Sequence, residues 1–137
     1  IVTGTDGQTQ VCINCGVVPV LVSLLSSPHG NTRREACWTL SNITAGNAEQ
    51  IQRVIQADAI PRLVDMCRNA EFGEKKEACW ALCNATSGGR KMQLRYLIEQ
   101  GIIQAMAPLI ASSPDERVTI VAVEGLHNLF KMDTDGD

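Results

Sequence analysis

The chain has 137 residues, of which 45% are apolar, and this composition is typical of a folded protein rather than a disordered one. Its 12 Lys and Arg against 15 Asp and Glu give a formal net charge of −3, so it lacks the chain-wide basic surface that nucleic-acid binding requires. No apolar run approaches the roughly 20 residues that span a bilayer, and the first residues lack the basic start of a signal peptide. We therefore expect neither a nucleic-acid nor a membrane partner.

An internal repeat is the strongest feature of the sequence. The segment EACWTLSN at residues 35–42 returns as EACWALCN at residues 77–84, an offset of 42 residues, and a weaker third copy extends to about residue 130. A period of this length is typical of solenoids, in which each unit is too thin to bury its own apolar face. The predicted division is the end of a preceding repeat at 1–6, repeats at 7–46, 47–88 and 89–132, and an acidic tail at 133–137.

Each repeat contains three apolar segments of helical periodicity, separated by Gly, Pro, Asn or Ser. The predicted helices, in chain order, are residues 7–15, 17–26, 32–45, 49–56, 60–69, 74–87, 91–100, 102–111 and 115–131. Asn31 is predicted to cap the third helix, and Gly46 is predicted to end it in the left-handed conformation. The pattern predicts an all-α armadillo-repeat fold, a right-handed solenoid of three three-helix repeats, with two-helix HEAT units as the alternative.

Two pairs of side chains recur at the same place in the longer helices. Trp38 and Asn42 are four residues apart, as are Trp80 and Asn84, so each pair lies on one face of its helix. Stacked repeats would align these pairs into a row of indoles beside a row of amides. An asparagine amide can bind both the N–H and the C=O of an extended backbone, and the slots between indoles can hold the aliphatic stem and cation of Lys or Arg.

Glu35 and Glu77 lie three residues before the two tryptophans, so they are predicted to meet the cationic tip of a bound side chain. The combination favours a groove for extended Lys/Arg-rich peptides. In the alternative interpretation the tryptophans are core residues and the asparagines only cap or bridge helices. The chain would then be a scaffold for other protein partners.

The sequence offers little support for metal or catalytic chemistry. Cys12 and Cys15 form a C-x-x-C motif, but no spacing among the six cysteines brings four ligands together, so we expect reduced thiols and no metal site. Neither His29 nor His127 has a nucleophile at a recognisable spacing, and no phosphate-binding glycine loop occurs. We expect no catalytic residue, no cofactor and no enzymatic activity.

Three strings, IVTGTD at 1–6, EACWTLSNITAG at 35–46 and KEACW through NATSGG at 76–89, resemble the importin-α (karyopherin-α) family of nuclear import adapters. The resemblance covers essentially the whole chain, and Trp-x-x-x-Asn is that family's signature. It implies about the seventh to ninth of ten repeats, the minor site for nuclear localisation signals of cargo proteins, and shuttling between cytoplasm and nucleus. The peptide-binding residues that it implies are Trp38, Asn42, Trp80, Asn84, Glu35, Glu77, Thr3, Gly4, Asp6 and Asn128.

By the same resemblance, Thr3, Gly4 and Asp6 close one edge of the groove. The third repeat departs from the signature, with Glu124 in the Trp position and Val121 in the Glu position, and the family's ninth repeat also lacks its Trp. The resemblance implies importin-β and an export receptor as partners of a full-length chain. We expect the segments that bind them to be absent here, so that the chain is a fragment.

Overall fold

A computed structural model describes residues 6–134, with the side chains of residues 7–132. Within these residues the chain forms nine α-helices and no strand. The helices are α1 (Asp6–Asn14), α2 (Val17–Leu24), α3 (Gly30–Thr44), α4 (Ala48–Gln56), α5 (Ala59–Asn69), α6 (Phe72–Gly88), α7 (Lys91–Glu99), α8 (Ile102–Ala111) and α9 (Glu116–Thr134). Every predicted helix is present with its ends shifted by a few residues at most, so the predicted all-α fold of three three-helix repeats is confirmed.

The predicted cap at Asn31 is wrong. Helix α3 begins one residue earlier, at Gly30, and the extended residue before it, His29, makes no side-chain capping bond. Asn31 lies in the first turn, where its Oδ1 accepts a 3.0 Å hydrogen bond from Arg34 Nη2. Because this amide is used within the helix, it does not cap the helix from outside.

The predicted left-handed conformation at Gly46 is also wrong. The small size of this residue serves close packing instead, because a Cβ there would collide with the side-chain amide of Gln50. That amide closes a capping box with Asn47 at the start of α4, accepting from Asn47 N at 3.0 Å. In the described chain the residues with positive φ are those directly before the second helix of each repeat, namely Gly16, Asp58 and Gly101.

The repeats stack through their third helices, with α6 packed between α3 and α9. Small residues allow the close approach. A Cβ on Gly125 of α9 would lie 2.8 Å from Cys83 Sγ of α6, and a Cβ on Gly88 would lie 2.5 Å from the carbonyl oxygen of Gly46. The stacked helices bury a continuous apolar core that includes Leu40 and Leu82.

Polar side chains also join successive repeats. Arg33 of α3 donates to both carboxylate oxygens of Glu74 in α6, at 2.7 and 3.1 Å. Its third nitrogen donates to the carbonyl oxygen of Ser27 at 2.7 Å. Between the first helices, Gln93 Nε2 donates to Gln52 Oε1 at 2.8 Å. The first link joins third helices and the second joins first helices, so both hold successive repeats in register and keep equivalent side chains side by side.

No single helix among residues 6–134 is both long and apolar enough to cross a bilayer. Helices α1 and α2 reach the required length and composition only as a pair bent by 78°.

Candidate peptide-binding groove

The structure places both predicted Trp–Asn pairs on one groove. Trp38 and Asn42 of α3 and Trp80 and Asn84 of α6 line a groove of about 330 Å³. All four side chains are half-buried, and Trp80 also packs against the apolar core. Because the pairs occupy equivalent positions in adjacent repeats, helix stacking alone brings them together.

Hydrogen bonds to the protein already engage the asparagine amides. Asn42 Nδ2 donates to the carbonyl oxygen of Trp38 at 3.0 Å within α3, whereas Asn84 Nδ2 donates to the carbonyl oxygen of Ser41 at 2.9 Å in the preceding repeat. The helix bridging of the alternative interpretation therefore occurs at Asn84. An amide nitrogen has two N–H groups and an amide oxygen two lone pairs, so each side chain keeps the capacity to bind a peptide.

The third repeat continues the row of amides but not the row of indoles. Asn128 Nδ2 of α9 donates to Thr86 Oγ1 at 3.0 Å and to Ser87 Oγ at 3.3 Å, so this amide also links two repeats. Asn128 is half-buried but is not among the residues that line the groove. Glu124, in the position of the missing indole, is exposed.

The two predicted acidic residues have different surroundings. Glu77 is half-buried and lines the groove, whereas Glu35 is exposed and lines a separate depression between α2 and α3. Partial burial raises the pKa of the Glu77 carboxyl above its ordinary value, against the lowering effect of Lys76 and Arg34. The negative charge of Glu35 also raises the pKa of Glu77. Within the described part of the chain Glu77 forms no direct ion pair, so its carboxylate is available to a cation.

Sequence reasoning missed three residues that line the groove, namely Ser41, Lys76 and Arg117. Lys76 lies four residues before Trp80 and could have been found from helical spacing alone. Arg117 lies in the first turn of α9, where the repeat is weakest and gives no signal. Its Nη2 lies 3.1 Å from Asp115 Oδ2.

Some of the predicted site lies outside the described residues. This applies to Thr3, to Gly4 and to the side chain of Asp6. Their part in the groove therefore stays a prediction. Of the predicted acidic tail at 133–137, the backbone of the first two residues continues α9, and the rest lies outside the described residues.

The buried cysteines lie in two places, with Cys37 beside Met66 and with Cys67, Cys79 and Cys83 next to one another. Cys37 Sγ lies 3.8 Å from Met66 Sδ, and Cys79 Sγ lies 3.9 Å from Cys83 Sγ. Burial raises the pKa of the Cys37 thiol to about 12, so it stays protonated. Among residues with described side chains, no three His, Cys, Asp or Glu are placed to hold a metal ion.

Comparison with known proteins identifies the relatives of this chain. Residues 5–45 and 47–87 match the Armadillo/beta-catenin-like repeat family. The chain is 50% identical over 133 residues to Importin subunit alpha-1b of Oryza sativa subsp. japonica, covering 96% of this chain and 25% of that protein. It is also 50% identical over 110 residues to Importin subunit alpha-4 of Arabidopsis thaliana, covering 80% of this chain and 20% of that protein. It thus spans a quarter or less of these curated relatives.

The fold is shared with solved structures of designed proteins. "Designed armadillo repeat protein YIII(Dq)4CqI" is 34% identical with a TM-score of 0.89, over 94% of this chain and 53% of that one. "Designed armadillo repeat protein YIII(Dq.V1)4CPAF in complex with peptide (KR)4" is 36% identical with a TM-score of 0.88, over 93% of this chain and 53% of that one. The chain belongs to the armadillo/beta-catenin-like repeat family and, within it, to the importin-α proteins.

Proposed function

We propose that this chain is part of a nuclear import adapter and binds extended, Lys/Arg-rich nuclear localisation signals of cargo proteins in the groove between α3 and α6. The observation that carries the proposal is the convergence of two Trp–Asn pairs and a carboxylate without an ion pair, Glu77, on one groove of about 330 Å³.

Each part of the groove has a chemical task in this proposal. The Asn42 and Asn84 amides bind the N–H and C=O groups of the peptide backbone and hold it extended. The faces of Trp38 and Trp80 contact the aliphatic stems of Lys or Arg and attract their cations. Glu77 neutralises one of these cations, and that contact offsets the cost of keeping a carboxylate half-buried.

The relatives of this chain support the proposal. Two relatives are named as importin subunits. A designed protein of similar fold is described in complex with the basic peptide (KR)4. For the whole protein we further propose shuttling between cytoplasm and nucleus, with importin-β and an export receptor as partners. No step in this function requires a catalytic residue.

A labelled basic peptide tests the proposal directly. We expect it to bind by fluorescence anisotropy, more weakly at higher salt, and more tightly than a scrambled peptide of the same composition. Trp38→Ala should weaken binding about tenfold or more, because this side chain forms one wall of the slot. Phe130→Ala, which removes an exposed aromatic ring outside the groove, is the matched control and should leave the affinity unchanged.

Circular dichroism of both variants separates lost binding from lost folding. Equal affinity for the scrambled peptide, or unchanged binding by a folded Trp38→Ala variant, would overturn the proposal. The chain would then be a scaffold for other partners.

A further inference from the structure

The charged side chains of the groove are unevenly placed around Trp80. Lys76 and Glu77 lie four and three residues before this tryptophan. On a helix, their side chains therefore lie on opposite sides of the Trp80 side chain. Glu77 lies close enough to Glu35 and Arg34 of α3 to respond to their charges. Lys76 lies close enough to Asp115, at the start of α9, to lower the pKa of that carboxyl. The carboxylate thus lies towards α3 and the ammonium towards α9.

A second cation, Arg117, lies on the α9 side, where the Asp115 carboxylate accepts from its Nε at 3.3 Å and from its Nη2 at 3.1 Å. Arg117 lines the same groove, and its side chain is 77% exposed although it pairs with Asp115. Lys76 forms no direct ion pair within the described part of the chain. Glu124 lies seven residues after Arg117 and is not among the residues that line the groove. A basic side chain at this end would therefore meet the Lys76 ammonium and the exposed Arg117 guanidinium, whereas an acidic side chain could share these cations with Asp115.

We infer that the groove selects peptides of mixed charge in a fixed order, with a Lys or Arg beside Glu77 and an Asp or Glu side chain between Lys76 and Arg117. This inference rests on the peptide binding proposed above and deepens it. Packed helices lie about 8–10 Å apart, and an extended chain advances about 3.3 Å per residue. The acidic residue therefore lies about two or three residues from the basic one, on one side of it only.

The test uses three matched peptide sets built on one Lys/Arg core. One set uses Glu, one Gln and one Lys. Every peptide in a set carries that residue once, at one of the three positions before the core or the three positions after it. At one or two positions on a single side, we expect the Glu peptide to bind about threefold more tightly than the Gln peptide and more tightly still than the Lys peptide. Because the protein carries a net charge of −3, non-specific attraction would favour the Lys peptide instead.

A double variant, Lys76→Gln with Arg117→Gln, assigns the preference to these two cations. It should bind the Glu and Gln peptides equally and should bind the Lys peptide more tightly than wild type does. The matched control is Arg53→Gln with Arg68→Gln, which removes two positive charges from exposed positions that do not line the groove and should keep the preference.

The outcomes separate the two levels of the proposal. If no Lys/Arg-rich peptide binds, both the proposed function and this inference fail. If the basic core binds but Glu gives no advantage at any position, or if its advantage survives in the Lys76/Arg117 double variant, this inference alone is overturned.

Discussion

The side-chain amide of Asn84 in α6 donates a 2.9 Å hydrogen bond to the main-chain carbonyl of Ser41 in α3. Both residues also line the groove between the two tryptophans. The residue predicted to hold a peptide therefore also holds two repeats together. Binding and stacking are coupled at this position, and substitutions there should affect both.

Asn84→Ala should lower the free energy of unfolding by about 1 kcal/mol, because it removes this inter-repeat hydrogen bond. The cost stays modest, since the Ser41 carbonyl oxygen also accepts from Ala45 N at 3.1 Å. Peptide affinity should fall as well, by about 1 to 3 kcal/mol, because the peptide backbone loses a polar partner. Urea denaturation and calorimetric peptide titration measure the two effects.

Asn42→Ala is the matched control for this prediction. Its amide donates to Trp38 O within its own helix, so the substitution removes no contact between repeats. We expect a comparable loss of peptide affinity with less change in stability. Equal destabilisation by the two substitutions would contradict a special role for the Asn84 bridge.

Gly88→Ala should destabilise the fold by about 1 to 3 kcal/mol, because the added Cβ would lie 2.5 Å from the main-chain oxygen of Gly46 in the preceding repeat. Gly73, in the first turn of the same helix, has only the Arg34 side chain within 4 Å of an added Cβ, at 3.6 Å or more. Gly73→Ala should therefore be neutral or stabilise by up to about 1 kcal/mol through helix propensity. Thermal unfolding of the two variants measures the difference in stability. A destabilised Gly73→Ala together with an unaffected Gly88→Ala would contradict the prediction.

Peptide binding should weaken in acid because of Glu77. Partial burial raises the pKa of this carboxyl in the free protein above the ordinary value of about 4.3, and a bound Lys or Arg would lower it. Only the ionised form attracts the cation, so affinity is full above the raised pKa and falls as the pH drops through it. Anisotropy titrations between pH 4 and 8 should show this loss in wild type and a flatter profile in Glu77→Gln.

The magnitude and the control for Glu77→Gln follow from its surroundings. At neutral pH we expect about threefold to tenfold weaker binding, whereas Glu99→Gln, at an exposed position on α7 outside the groove, should bind as wild type does. Because the pKa of Glu77 is raised in the folded state, its ionised form opposes folding above that pKa. Glu77→Gln should therefore be no less stable than wild type at neutral pH, and a clear loss of stability would indicate a packing role.

The fold could be predicted from the sequence because the 42-residue repeat fixes the same helix, and the same Trp–Asn pair, twice. Contacts between repeats could not be predicted in the same way. The start of α3 at Gly30 has no side-chain cap to mark it, and Arg33 in that first turn is held by Glu74 of the next repeat. Arg117 reaches the groove from the least repetitive helix start, so periodicity gave no reason to include it.

The reactivity of the cysteine thiols should report on the stacking of the repeats. Cys15 is exposed and Cys12 half-buried, whereas the other four cysteines are buried in the layers around α6. Burial raises the pKa of Cys37 to about 12, and hydrogen bonding to Cys79 together with burial raises the pKa of Cys67 further. At pH 8 the Cys37 thiol, with a pKa of about 12, is ionised to only about 10⁻⁴. All four buried thiols are also shielded from solvent, so they should react with a disulfide reagent only when the structure opens.

We therefore expect two native phases with such a reagent, a fast one from Cys15 and a slower one from Cys12, and four further thiols only in denaturant. Cys15→Ser should remove the fast phase and leave the others unchanged. Gly88→Ala, which strains the contact between the first two repeats, should speed the reaction of the buried thiols, because each opening of that interface exposes them. Six thiols reacting at the rate of Cys15 in native buffer would mean that the stacked third helices do not protect their core.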